Sequence, residues 1–227
     1  MDSLQELLYK IYLKSPANLF DEFIKECVHH YSKPAHSLQE LKTRENKKIK
    51  GDVFEEFCVL YLKHIKGYHN SWRLENVPDL ILEKLSLKRK DMGIDLIVEK
   101  DGIYSAVQCK YKTPVGLKKI GITWKILSTF YSLCMRSGPW DKYIVMTNCN
   151  FVRHVGKKTD KDVSMVLSSF QKINKEDWIK MCNVTGTALG EVELIEVKEQ
   201  KEEVKEVTDL ELLREKRLAY FQSNKLI

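Results

Sequence analysis

GIDLIVEKDGIYSAVQCK, residues 93–110, is the stretch that decides the fold, because it has the pattern of a β-hairpin. Two runs rich in Ile, Leu and Val flank Asp101-Gly102, a dipeptide favoured in two-residue type I′ turns. A turn of this type pairs Lys100 with Ile103. The same register places Asp95 opposite Gln108, so the sequence predicts two antiparallel strands with a defined pairing.

The hairpin register also predicts which side chains meet. Directly paired residues share a face, so we expect Asp95, Gln108 and the diagonal Lys110 on one side. The opposite side is expected to carry apolar residues: Ile94, Leu96, Val98, Val107 and Cys109. An acid, an amide and an amine at one end of an apolar hairpin suit a hard cation with oxygen ligands, beside an ammonium that can approach a phosphate.

The flanking sequence supplies helices and further strands around this hairpin. Helical spacing of apolar residues predicts two short helices near residues 4–11 and 20–31, a helix from Gly51 to a stop at Gly67, and helices at 123–135 and 162–170. KYIVMT, residues 142–147, predicts a buried strand, and residues 191–221 a charged helix. The fold class is therefore α/β, with a mixed central sheet of four or five strands flanked by helices.

The domain organisation follows from changes in this pattern. The apolar rhythm breaks between residues 33 and 48, and the last part of the chain is rich in charge. We therefore expect a helical N-terminal extension at 1–48, a core at 49–190 and a charged helical C-terminal tail at 191–227.

The charge of the chain is unevenly distributed. The 227 residues carry a net charge of +6, but residues 1–190 hold 31 Lys and Arg against 22 Asp and Glu, a net charge of +9. Such a surplus is typical of a protein that binds a polyanion, since Lys and Arg that neutralise phosphates release counterions. A plain solubilising surface has the same composition, and charge alone leaves both interpretations open.

Export and membrane insertion are not expected. No apolar run is long enough to cross a bilayer, and the first residues lack the features of a signal peptide. The six cysteines are widely spaced, which favours reduced core residues over disulfides or zinc ligands. We therefore expect a soluble intracellular protein, in the cytoplasm or nucleus, that does not bind a membrane.

Three short motifs resemble a known family. Residues 51–57 (GDVFEEF), 91–96 (DMGIDL) and 107–110 (VQCK) are similar, in this order, to motifs of the PD-(D/E)XK nuclease superfamily, in its Mrr-type restriction endonuclease branch. The resemblance covers residues 50–150, the size of one domain. It implies a restriction-endonuclease-like core. Gly-Ile-Asp replaces Pro-Asp of the superfamily, and Gln108 stands where most relatives have Glu.

The resemblance implies roles for individual residues. Asp95 would be the central metal ligand, Gln108 and Glu55 further ligands, and the backbone carbonyl of Cys109 an additional one. Lys110 would position or activate the attacking water. The implied cofactor is Mg²⁺, with Mn²⁺ as a substitute, and the implied activity is endonucleolytic hydrolysis of DNA. Glu56 fits the helix motif less well than Glu55, and Lys112 competes with Lys110 if the register slips.

Basic residues near these motifs are candidates for binding nucleic acid. They are Lys88, Arg89, Lys90, Lys112, Lys118, Lys119, Arg153, Lys157 and Lys158. Residues at strand ends often line sites, so the segment after residue 147 is the best of these candidates. Contact with water alone is the alternative.

A second class of function stays open beside the enzyme. The chain could be a catalytically weak or inactive nuclease-fold module that binds nucleic acid or a partner protein, because Gln108 removes one negative ligand. We further expect that the chain forms a homodimer, or that its partner is a helicase or another DNA-processing protein. Relatives attached to viral and plasmid helicases imply a virus or mobile element as one source. The sequence does not distinguish DNA from RNA, or a restriction-like from a junction-resolving or repair role.

Overall fold

A computed structural model describes residues 3–30, 45–90, 93–114, 116, 118–153 and 158–182. Its helices are α1 (Leu4–Lys14), α2 (Leu19–His30), α3 (Glu45–His64), α4 (Asp79–Lys84), α5 (Trp124–Cys134), α6 (Leu167–Phe170) and α7 (Lys175–Lys180). Its strands are β1 (Asn70–Arg73), β2 (Leu96–Lys100), β3 (Ile103–Lys110), β4 (Gly121–Ile122), β5 (Tyr143–Thr147), β6 (Phe151–Val152) and β7 (Asp162–Met165). A short 3-10 helix, Leu74–Asn76, follows β1.

Five strands form one mixed sheet in the order β1-β2-β3-β5-β7. The pairs β1–β2 and β2–β3 are antiparallel, whereas β3–β5 and β5–β7 are parallel. Helix α5 connects the parallel strands β3 and β5, as a crossover connection must. The predicted α/β class with a mixed sheet of four or five strands is confirmed. Strands β4 and β6 form a separate two-stranded parallel sheet.

The central hairpin has the predicted turn and register. Asp101 and Gly102 both have positive φ, 54° and 78°, as a type I′ turn requires. Lys100 pairs with Ile103, and the pairing continues to Leu96 opposite Val107. Since Gly tolerates positive φ and Asp tolerates it better than most residues, the dipeptide sets the register of the whole hairpin.

At its other end the hairpin departs from the regular register. The Asp95 N–H donates to the carbonyl of Val107 at 2.9 Å, although Val107 is already the partner of Leu96. Two residues opposite one is the arrangement of a β-bulge. Ile94 consequently packs in the cluster of Ile97, on the opposite side of the sheet from Leu96. The prediction that Ile94 shares a face with Leu96 is wrong, because simple alternation does not continue through a bulge.

Both faces of the sheet are covered by helices. On one face, Ile97, Ala106 and Val145 pack with Leu127 and Phe130 of α5 in one buried cluster. On the other face lies α3, whose Phe54 contacts the ring of Tyr111 just beyond β3. A sheet buried on both faces explains why β2 and β5 read as nearly continuous apolar runs.

Helices α1 and α2 pack onto the α3 side through aromatic and apolar contacts. The Phe57 ring lies 4.8 Å from that of Phe23 and 5.3 Å from that of Phe20. Trp178 of α7 donates its indole N–H to the Leu8 carbonyl at 2.9 Å. The described residues belong to one compact unit within residues 1–183. Domain boundaries at residues 48 and 190 stay predictions.

The sequence prediction is wrong for residues 162–170, and it omits β1 and the short elements α4, α7, β4 and β6. The predicted helix at 162–170 is instead strand β7 followed by the short helix α6, because residues 162–165 pair in parallel with β5. A four-residue run has little intrinsic preference, so its tertiary partner decides. Strand β1 was not predicted. The proposed C-terminal helix at 191–221 lies outside the described residues.

Two further expectations concern the state of the cysteines and the presence of membrane-spanning helices. All six cysteines are buried and free, as predicted. Within the described part of the chain, no helix is long and apolar enough to cross a membrane.

Candidate active site

The Asp95 carboxylate lies at the centre of the polar end of the hairpin. Its Oδ2 accepts hydrogen bonds from the side-chain amide of Gln108 and, at 2.6 Å, from the backbone N–H of Cys109. The side chain is only 7% exposed. Although the bulge offsets Asp95 from the regular register, the predicted contact with Gln108 is present. Such charge-assisted bonds fix the orientation of the carboxylate.

Gly93 allows the backbone that leads to Asp95 to pass close to helix α5. Its φ is +115°, and an added Cβ would lie 2.9 Å from the backbone nitrogen of Phe130. The backbone before Asp95 therefore runs directly against helix α5, where no side chain fits. This accounts for Gly in the Gly-Ile-Asp motif, while Asp91 of the same motif lies outside the described residues.

Lys110 is the lysine that lies beside Asp95. Its Nζ is 3.9 Å from Asp95 Oδ2, and its side chain is 35% exposed. The competing Lys112 instead donates its ammonium to the Gly121 carbonyl at 2.7 Å, which anchors the segment after β3. The hairpin register has not slipped, so Lys110 is the candidate for the lysine of the motif.

Glu55 reaches the same site from α3. Glu55 and Asp95 line one cavity of about 180 Å³, whose other charged lining residues are Asp52, Arg73, Glu75 and Arg89. The neighbouring Glu56 does not line it and is half exposed. The structure therefore brings Glu55, rather than Glu56, to the polar end of the hairpin.

The pKa of Glu55 is raised to about 8. Burial is the main cause, because it disfavours the charged carboxylate, and the negative charge of Asp95 acts in the same direction. Arg73 opposes the shift, with its Nη2 3.5 Å from Glu55 Oε2. At neutral pH and without a cation, Glu55 is therefore mostly a neutral carboxylic acid.

Arg73 was not singled out from the sequence. It ends β1, and its guanidinium also lies 3.2 Å from Glu75 and 3.7 Å from Asp52. It is the cation around which these acids gather. No motif marks it, because its role depends on the position of an edge strand that the sequence did not predict.

Thr147 and Asn148 were also missed as positioning residues. Thr147 donates its hydroxyl to the Lys110 carbonyl at 2.6 Å. Asn148 binds both backbone groups of Lys112, accepting from its N–H at 2.8 Å and donating to its carbonyl at 2.7 Å. Both side chains are buried. Polar residues at the end of the apolar run KYIVMT were the signal that could have identified them.

The donor set fits a hard divalent cation. Asp95 and Glu55 offer carboxylates, and Gln108, whose amide nitrogen binds Asp95, has a carbonyl oxygen that could be a ligand. The N–H and C=O of a strand residue point the same way, so the Cys109 carbonyl is directed to the Asp95 side. Among the described residues, no three or more His, Cys, Asp and Glu side chains are grouped to hold a metal. A cation here would have two acidic ligands.

The predicted DNA-binding residues lie in two described regions. Lys88, Arg89 and Lys90 are exposed after α4, and Arg89 lines the cavity while donating to the Glu75 carbonyl at 2.6 Å. Lys118, Lys119, Arg153 and Lys158 are exposed around β4 and β6. Arg153 lies over the ring of Phe151, with its guanidinium carbon 5.2 Å from the ring centroid. Lys157 lies outside the described residues.

The fold and the hairpin site together define a restriction-endonuclease-like α/β protein. The comparison of the sequence with known families is more specific: a restriction endonuclease family of the Mrr catalytic type matches residues 63–186, more than half of the chain. The chain belongs to this family, in the PD-(D/E)XK nuclease superfamily. No curated protein and no solved structure matches the chain.

The matched interval bears on the candidate site. It contains Asp95, Gln108 and Lys110 and begins after Glu55. It also begins later and ends later than the resemblance seen in the motifs. The case for Glu55 consequently depends on the cavity that it shares with Asp95.

Proposed function

We propose that this nuclease-family chain is an endonuclease that hydrolyses DNA phosphodiester bonds with Mg²⁺, for which Mn²⁺ can substitute. The observation that carries the proposal is the contact of Asp95 with Gln108 and Lys110, together with the cavity that Asp95 and Glu55 both line. Acidic and amide oxygens beside one lysine are the groups that phosphodiester hydrolysis requires. The family match supports a hydrolase of nucleic acid.

The metal would be held by Asp95, Glu55, Gln108 and the backbone carbonyl of Cys109. When bound, the cation supplies positive charge for the phosphate and lowers the pKa of water. The chain's own groups prepare this chemistry. Asp95 is fixed by two donors, and Glu55 must lose its proton to become a ligand.

Lys110 would act on the attacking water and on the phosphate. Its ammonium lies 3.9 Å from Asp95 Oδ2 and its side chain is partly exposed, so it would orient the attacking water and offset negative charge developing on the phosphate. Thr147 acts as a positioning residue, because its hydroxyl holds the Lys110 backbone.

DNA would lie across the polar end of the sheet. The proposed phosphate contacts are Lys88, Arg89 and Lys90 after α4, and Lys112, Lys118, Lys119, Arg153 and Lys158 near β4 and β6. Lys157, outside the described residues, is proposed from the sequence alone. Cleavage of both strands then needs two nicks or a second copy of the chain. The homodimer and a helicase-like partner stay predictions.

The test is a cleavage assay on plasmid and linear DNA with Mg²⁺. We expect native protein to nick or cut the DNA, and Asp95→Ala and Lys110→Ala to lose at least about 100-fold in rate. Lys100→Ala, at the turn end of the same hairpin, is the matched control and should retain activity. Native cleavage no faster than that of Asp95→Ala would refute the enzyme.

A nuclease-fold module that binds DNA without cutting is the second candidate. It is favoured by one specific observation: the described site offers two carboxylates, with Gln108 where most relatives have Glu. Calorimetric titration with Mg²⁺ separates the two. Binding that Asp95→Ala abolishes supports the enzyme, whereas DNA binding that is indifferent to the metal supports the module.

A further inference from the structure

A second, larger cavity adjoins the catalytic cavity. It has a volume of about 460 Å³, within the range of small-molecule pockets. Its walls come from the start of α1, from α3 and from β1. Arg73 lines both cavities, and Glu55 and Glu56, consecutive on α3, line one each. A ligand in this pocket therefore lies next to the proposed cleavage site.

The lining of this pocket suits a flat, neutral ligand. Leu4, Val59 and Leu60 form apolar walls, and Trp72 of β1 lines the pocket while its side chain packs against the cluster of Ile97. Its charged residues are Glu56 and Arg73, which lie 3.9 Å apart, and Arg73 also neutralises the acids of the catalytic cavity, so the pocket has, among the described residues, one carboxylate and no spare cation. The chemistry therefore excludes a free phosphate or a metal ion as the preferred occupant.

The polar groups of the pocket can form hydrogen bonds with the edge of a planar ligand. Gln5 and Asn76 offer side-chain amides, which donate and accept at once. The Ser71 hydroxyl oxygen is buried and has no hydrogen-bond partner among the described residues. A buried polar atom in that state favours a ligand that would supply the partner.

The free edge of β1 adds backbone groups to this set. β1 is the outer strand of the sheet, and Leu74 just beyond it donates its N–H to Asp95 on the β2 side. Because alternate residues of an antiparallel strand point to opposite sides, Ser71 and Arg73 direct their N–H and C=O groups outward, along the pocket. Donors and acceptors thus alternate along an apolar slot, as recognition of a base edge requires.

From these features we infer that this cavity, lined by Gln5, Val59, Ser71, Trp72 and Asn76, holds a nucleobase of the DNA strand being cut. The base is turned out of its stack, and its own backbone passes over Arg73 into the catalytic cavity. The substrate class is therefore DNA with an unpaired or extrudable nucleotide beside the cleaved bond. The inference rests on the proposed function for the identity of its ligand.

The test compares two 12-nucleotide single strands with the same phosphates, one of thymidines and one in which abasic residues replace them. Affinities are measured by fluorescence anisotropy in chelator, so that no hydrolysis takes place. We expect the full-length protein to bind the thymidine strand at least about fivefold tighter, the lower range for stacking of one base. Equal affinities would overturn the inference.

Substitutions in the pocket then test whether the base-dependent part of the affinity comes from this cavity. Val59→Phe fills the pocket and Asn76→Ala removes an amide, so each should reduce the affinity ratio towards one while the abasic strand binds as before. Leu80→Phe adds similar bulk at an exposed position of α4 and is the matched control. Unfolding midpoints identify any variant that fails to fold. A ratio that both pocket variants retain would also overturn the inference, and would leave the β1 edge as a site for an extended peptide.

The binding test and the cleavage assay can fail separately, so the two proposals are distinguishable. Base-dependent binding without cleavage under Mg²⁺ would support this pocket and refute the hydrolase. Cleavage together with base-independent binding would support the hydrolase and refute the base-binding role of this pocket.

Discussion

Gln108 donates a side-chain hydrogen bond to the Asp95 carboxylate across the end of the central hairpin. The amide thus fills a position where a glutamate would place a second negative charge against Asp95. The contact is present although a bulge at Asp95 offsets this residue from the regular register of the hairpin. Gln108 therefore stabilises the site without a cation, and it lowers the negative charge available to hold one.

Gln108→Glu should exchange stability for metal affinity. Without a divalent ion, loss of the bond to Asp95 and like-charge repulsion should lower the free energy of unfolding by about 1–3 kcal/mol. Mg²⁺ should recover this loss and bind more tightly than to the native protein. Thermal unfolding with and without Mg²⁺ measures both effects.

Gln171→Glu is the matched control for that substitution. Gln171 donates to Asp21 at 2.9 Å, far from the site in the sequence and in a contact of the same kind. It should also lose stability, but Mg²⁺ should not recover it. Equal recovery in the two variants would mean that the ion does not bind at Asp95.

Glu55→Gln should stabilise the metal-free protein in a pH-dependent way. The pKa of Glu55 is about 8 in the folded state and 4.5 ordinarily, so the folded state binds more protons between these values. Native stability consequently falls as pH rises from about 4.5 to 8 and is constant above. The neutral Gln avoids this loss. Its gain should grow over that interval to on the order of 5 kcal/mol at pH 9, since each pKa unit corresponds to about 1.4 kcal/mol.

Denaturant unfolding at pH 5, 7 and 9 measures this gain. Glu56→Gln, at the next and half-exposed position, is the control and should change stability little at any pH. A Glu55→Gln gain that is the same at pH 5 and pH 9 would contradict a buried, repelled carboxyl at this position.

Cation binding should release a proton. At pH 7 Glu55 is mostly protonated, because its pKa is about 8, yet only the carboxylate is a metal ligand. Binding of Mg²⁺ should therefore release close to one proton at pH 7 and almost none at pH 9.5. Calorimetry in two buffers of different ionisation enthalpy measures the number. Glu55→Gln should release none at either pH.

The sequence predicted the hairpin and its cluster because both depend on local rules. The Asp101-Gly102 turn fixes the register from Lys100 to Leu96, and extending that register along the sequence predicts that Asp95, Gln108 and Lys110 are neighbours. The bulge was not predictable from alternation. It moved Ile94 to the other face while leaving the contact between Asp95 and Gln108 intact.

The remaining parts of the site depend on long-range packing. Glu55 could be proposed from the motif, but only the packing of α3 against the sheet places it in a cavity with Asp95. Arg73 had no signal, since β1 is a short edge strand formed by pairing with β2. For the same reason the segment at 162–165 was mistaken for helix: its parallel pairing with β5 cannot be read from four residues.

The lysines around β4 should contribute to DNA affinity through their charge alone. Lys118→Glu with Lys119→Glu should weaken binding and reduce the slope of log affinity against log salt by about 2, because each phosphate contact contributes about 0.9 for duplex DNA. Both side chains are exposed, so the unfolding midpoint should not change. Lys100→Glu, at the turn end of the hairpin, should leave the slope nearly unchanged. Equal slopes for all three proteins would place the DNA elsewhere.

Lys110 and Lys112, two residues apart, should respond to truncation in opposite ways. Lys110→Ala removes the ammonium beside Asp95 and should slow cleavage at least about 100-fold, with little change in stability. Lys112→Ala removes the bond to the Gly121 carbonyl and should cost about 1 kcal/mol of stability. Its cleavage rate should fall much less. Rates and unfolding midpoints of the two variants give the comparison, and the reverse pattern would assign the motif lysine to Lys112.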